Sequence, residues 1–193
     1  KGNVKLPYED RYFSKGYLSE RKYKVLENGK LTDEYRIYFD MLRRCYDPKY
    51  QEKYSTYKDC AVEDYLLNFQ HMGGWIDENY YEVSGEQMCL DKDILCKGNK
   101  VYSRDMCIFV PQRINKLFTK ADNSRGKNPI GVYQTPSGTY RAFCSNGYGK
   151  QIPLGTYNSK EEVFNAYKQY KEKVIKEVID SYEGIIPEPH YSR

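Results

Sequence analysis

The chain has 193 residues, of which 30% are charged and 39% hydrophobic, and its formal net charge is +4. This balance excludes a disordered chain and fits one or two small globular domains. No apolar run nears the roughly 20 residues of a membrane span, and the opening KGNVKLPYEDRYF has no signal core, so a cytoplasmic protein without a membrane partner is expected. The segments 1–50, 51–119 and 120–193 carry +4, −3 and +3, a modest excess compatible with phosphate binding. The six cysteines show no CxxC pair, which favours buried thiols over disulfides or a closed zinc site. Tyrosine, at 22 residues, is abundant enough to serve both a core and a nucleic-acid surface.

Residues 1–32 are polar and lack periodicity, the pattern of an arm with short local structure. Thr32 is an acceptable N-cap for a helix over Asp33–Tyr46, where Tyr35, Tyr38, Phe39, Leu42 and Cys45 recur at helical spacing and Asp47-Pro48 ends the run. A second helix is expected over Val62–Met72, stopped by Gly73-Gly74, with Trp75 anchoring a core. From Glu82 to Pro111 the pattern becomes short strands broken at Gly98-Asn99 and at Tyr102-Ser103-Arg104-Asp105, followed by a short helix over Gln112–Phe118. The segment 119–129, polar and ending in Pro129, reads as a linker.

Beyond it, Ile130–Thr135, Thr139–Ser145 and Gln151–Tyr157 read as three strands joined by Gly-containing turns. Ser159 and Glu162 form a capping box for a helix with Val163, Tyr167, Tyr170, Val174 and Val178 along one stripe. Period-two alternation turns Val132, Tyr140, Ala142, Cys144, Ile152 and Leu154 towards that helix, leaving Tyr133, Arg141, Phe143, Ser145, Gln151 and Pro153 outward. The expected class is α+β: a domain over 33–118, the linker, a sheet-and-helix domain over 130–183, and a tail over 184–193.

Two resemblances give these domains a function. Gly131-Val132, Tyr140-Arg141-Ala142, Leu154-Gly155-Thr156-Tyr157 and SKEEVFNAY resemble the ethylene-response-factor (APETALA-type) DNA-binding domain and its relatives in phage homing endonucleases, over about 50 residues. The resemblance implies that the open sheet face contacts double-stranded DNA, through Tyr133, Thr135, Ser145, Gln151 and Pro153. Arg141 and Lys150 are the cations on offer there, where the plant pattern has several arginines and tryptophans.

The segment LDKDIL…GNKVYSRDMCIFVP…IN, with MLRRCYDP and LLNFQHMGGW before it, resembles the ββα-metal core of phage HNH endonucleases over roughly residues 33–118. That chemistry needs a general base, usually His, and a divalent cofactor such as Mg²⁺ or Mn²⁺. The match sets Asp91 on the metal ligand, Lys92 on the base and Asn115 on the helix ligand. A register offset by one sets Asp91 on the base and Asp93 near the metal. Neither supplies a His, and the chain has only His71 and His190. Lysine beside two aspartates is a poor base, because neighbouring negative charge favours its ammonium.

Three functions follow. The favoured one is a phage-type DNA-binding protein whose nuclease core is impaired and whose C-terminal sheet reads duplex DNA. The others are an active metal-dependent nicking endonuclease and a protein that binds and inhibits a host defence nuclease. None requires a small-molecule cofactor.

Overall fold

A computed structural model describes residues 15–18, 22–118 and 128–187. The described residues divide into two compact units between Val110 and Pro111. The class is α+β, as expected. The linker segment 119–127 and the tail residues 188–193, with His190, lie outside the described residues.

Unit 1 is built on α1 (Asp33–Tyr46), capped as the sequence suggests: the Thr32 hydroxyl accepts from the Tyr35 amide at 3.3 Å. Asp47 ends α1 and caps α2 (Pro48–Lys53), accepting from the Lys49 amide at 2.9 Å. The apolar stripe of α1 packs against α3 (Phe69–Asn79), where Tyr38, Met41, Leu42 and Met72 are wholly buried. Each such side chain contributes roughly 1.5–3 kcal/mol relative to exposure. The Tyr38 hydroxyl donates to the Leu67 carbonyl at 2.7 Å, so the buried phenol is satisfied.

The second helix differs from expectation. Ala61–Val62 forms a short strand, β3, and Asp64–Leu67 a 3₁₀ turn; α3 begins only at Phe69 and runs through Gly73-Gly74. The glycines do not stop the helix, because Gly73 meets a tertiary need: the Tyr23 ring lies where its Cβ would stand. Tyr23 is tied there by paired hydrogen bonds with Gln70 (2.9 and 2.8 Å), and Lys22 reaches Asp77 at 2.6 Å. The described part of the N-terminal arm is thus docked on α3, with Leu18 buried and a small hairpin of β1 (Leu26–Glu27) and β2 (Lys30–Leu31) leading into α1.

The expected strands after Glu82 are present, with one rearrangement. β4 (Met88–Asp91) pairs with β6 (Ile108–Pro111), while β5 (Val101–Tyr102) pairs in parallel with β3. Tyr102, placed in a polar break by the sequence reading, is a buried strand residue only 1% exposed. All six cysteines are free, and four of them are buried.

Unit 2 includes α4 (Gln112–Phe118), which the sequence reading assigns to the first domain. The Arg113 guanidinium lies over the rings of Tyr148 (4.7 Å) and Tyr182 (5.6 Å). Next comes an antiparallel sheet in the order β7 (Val132–Gln134), β8 (Tyr140–Ser145), β9 (Gln151–Tyr157), packed on α5 (Lys160–Asp180). The Ser159 hydroxyl accepts from the Glu162 amide at 3.1 Å, the expected cap. Val132, Ala142, Cys144, Val163 and Tyr167 form the core between sheet and helix.

β7 starts two residues later than expected because Gly131 has φ of +75°. A Cβ there would collide with the Tyr167 ring and lie 3.0 Å from the Phe143 carbonyl oxygen.

Candidate nucleic-acid interface

The sheet of unit 2 has one face on α5 and one open. Strand register aligns Tyr133, Arg141 and Thr156 in one cross-strand row on the open face, then Phe143 with Pro153, then Ser145 with Gln151. All six residues expected to face outward lie in these rows, following alternation along β7, β8 and the start of β9. Thr156 was missed, because Ala142 pairs with Gly155 while Phe143 pairs with Pro153, which leaves Leu154 as the extra residue of a bulge. The signal was Gly155 inside a strand pattern, at φ +115°.

Arg141 stands in the middle of the first row, exposed and, among the described residues, without an ion pair. On β7, Tyr133 is 59% exposed and meets Phe143 edge-on, with ring centroids 5.8 Å apart. A guanidinium between a ring and a hydroxyl, on a twisted three-stranded ribbon, offers a forked donor and apolar contact together.

The other expected contacts are placed differently. Thr135 lies past β7 in the hairpin, where its hydroxyl is within 2.9 Å of Ser137 Oγ and 2.7 Å of Thr139 Oγ1, so it braces the turn. Ser145 accepts from the Gly147 amide at 3.2 Å. Lys150 is exposed at the foot of the Asn146–Lys150 turn, which is held by the Asn146 side chain accepting from the amides of Tyr148 (2.9 Å) and Lys150 (3.1 Å).

In unit 1 the LDKD segment forms a bonded turn at the end of β4. Asp91 Oδ1 accepts from the amides of Asp93 and Ile94, each at 2.8 Å. Burial nonetheless pushes the Asp91 carboxyl above its ordinary value, outweighing those two amides. The Lys92 side chain is only 7% exposed; its ammonium donates to the Asn99 carbonyl at 3.0 Å and to Asp93 Oδ2 at 3.2 Å, and lies 5.8 Å from the Tyr102 ring centroid. Asn99 returns a bond from Nδ2 to the Lys92 carbonyl at 2.6 Å.

Asp91, Lys92 and Asp93 are therefore brought together, but as a locked turn, with Lys92 aimed into the fold. Asn115 belongs to unit 2. Among the described residues no three His, Cys, Asp or Glu side chains converge as a metal site. His71 stacks on Tyr65 (4.3 Å between centroids) and approaches the Tyr65 carbonyl with Nδ1 at 3.2 Å. Arg104 lies 4.3 Å from the same Tyr65 ring and donates to Glu63 at 2.6 Å.

The tyrosines divide between two uses. Tyr35, Tyr38, Tyr102, Tyr167 and Tyr182 are core residues. Others carry cations on the surface: Arg43 over Tyr50 at 4.7 Å and Lys53 over Tyr54 at 5.2 Å.

Comparison of the chain with protein-family models, with curated proteins and with solved structures found no match.

Proposed function

We propose that this protein binds duplex DNA through the open face of the β7–β8–β9 sheet, and that its HNH-like segment serves as scaffold. The observation that carries the reading is Arg141. It is an exposed guanidinium without an ion pair among the described residues, set between Tyr133 and Thr156 on a sheet whose other face is closed by α5. A ribbon of this kind enters the major groove, where an arginine fork matches the acceptors of guanine. Lys150, at the end of the same sheet, suits a phosphate.

The scaffold part rests on Lys92. In the first register the residue at the general-base position is Lys92, whose buried ammonium is engaged as a donor to the Asn99 carbonyl and to Asp93 rather than free to accept a proton.

Electrophoretic mobility shifts with a randomised duplex pool test the first part. Salt-sensitive retardation is expected, reduced in Arg141→Ala. Supercoiled plasmid incubated with Mg²⁺ or Mn²⁺ tests the second: retardation without nicking is expected. Metal-dependent nicking that disappears in Asp91→Ala would overturn the scaffold assignment, and absence of retardation at low salt would overturn DNA binding.

A further inference from the structure

A cavity of about 430 Å³ opens within unit 2 beside the first residues of β7 and the end of β8, with Tyr167 and Lys171 of α5 in its wall. Among the described residues no carboxylate lines it, and Lys171 is the one charged side chain in its lining. Lys171 is half-buried and, among the described residues, has neither an ion pair nor a hydrogen bond. Burial pulls its ammonium below the ordinary lysine range. A partly desolvated cation with no counter-charge costs stability, and an anion in the cavity would offset that cost.

Neutral polar residues share the lining: Ser145 and Gln151 from the sheet, and Asn128 before it. The neighbouring Cys144 thiol is raised by burial and stays protonated, so it brings no competing anion.

We propose that this cavity binds a phosphate group, with Lys171 supplying the charge and Ser145 and Gln151 the hydrogen bonds. Those two residues also form the last cross-strand row of the open face, so a DNA strand laid on the sheet would carry a phosphodiester to the cavity mouth. In that form the proposal rests on the DNA-binding reading above; free phosphate is the other source of the same chemistry.

The test has two arms on the full chain, each with wild type and Lys171→Met. In the first, inorganic phosphate is titrated and followed by amide chemical shifts. Movement of Ser145 and Gln151 is expected, with affinity at least tenfold weaker in the variant. In the second, a labelled duplex is followed by anisotropy across salt concentrations. The variant is expected to weaken binding and lower the salt slope by about one.

Loss in both arms supports a phosphodiester site, and loss in the phosphate arm alone supports a free-phosphate site. Unchanged affinity in both arms, or no phosphate shifts in wild type, overturns the proposal. Thermal melting guards against a structural explanation. Lys171→Met is expected to melt at or above wild type, since a charge without a partner is removed, and Lys171→Arg is expected to retain phosphate binding. The duplex reading fails separately, if Arg141→Ala leaves duplex affinity unchanged.

Discussion

Replacing Lys92 by Met asks whether the LDKD turn is a structural lock. Met keeps most of the stem and removes the ammonium. The bond lost to the Asn99 carbonyl, 3.0 Å and charge-assisted, is worth about 1.5–3 kcal/mol. The Asp93 pair adds only ~0–1 kcal/mol, because that carboxylate is 48% exposed and screened. Relief of lysine desolvation offsets part of the sum, leaving a net loss of about 2 kcal/mol. At roughly 2–4 °C per kcal/mol for a chain of this size, melting should fall by ~4–8 °C.

Urea unfolding followed by tryptophan fluorescence is the assay of choice. Trp75 is the only tryptophan and lies in the core of unit 1, so it reports on that unit. Below the midpoint, duplex binding should match wild type. An unchanged midpoint would refute the argument, because a side chain that can be neutralised at no cost is not a lock.

Arg141→Ala should weaken duplex binding by about tenfold or more, from a bidentate contact worth ~1–3 kcal/mol, while melting stays within ~0.5 kcal/mol of wild type. Gly131→Ala combines a positive φ with collision against Tyr167; it should destabilise unit 2 by about 2 kcal/mol or more, read by circular dichroism of the melt. Glu63 is held below its ordinary value chiefly by the Arg104 hydrogen bond. That stabilisation is complete above the unfolded value near 4.5 and is lost as pH falls through the depressed folded value. The melting gap between wild type and Glu63→Gln should accordingly be widest near pH 6–7 and close in acid. Burial pushes the Cys45 and Cys107 thiols up to about 12, so at pH 8 both stay protonated and unreactive. Exposed Cys96 should therefore react with an alkylating reagent first, as peptide mass mapping would show.

The parts of this fold legible in the sequence are those set by local chemistry. Thr32 and Ser159 cap helices where their spacing to the apolar stripe says they should, and the turns at Gly138 and Gly147 separate three strands in the expected order, β9 with the expected bounds. What was hidden depends on residues far apart in the chain. Gly73-Gly74 reads as a stop until Tyr23, fifty positions earlier, is seen filling the space beside it. The parallel pairing of β3 with β5 joins Ala61 to Val101, and no turn signal announces it. At the interface, alternation gave the outward row up to Leu154, where one extra residue shifts the count and brings Thr156 to the face. Lys171 carried no signal at all: on a helix of alternating charges, its lack of a partner among the described residues is a property of the folded unit.

The docking of Tyr23 on α3 also governs how the molecule can be divided. Composition invites a cut before Asp33, where the polar stretch ends and the first long helix begins. Such a fragment would lose Leu18 from the core and leave the trough at Gly73 open to water, together with Gln70 groups that now bond the Tyr23 backbone. A cut after Phe118 would likewise strip Tyr148 and Tyr182 of the guanidinium that lies over them. Fragments for separate study should start upstream of Gly16 and part between Val110 and Pro111, boundaries that follow packing rather than the visible changes in composition.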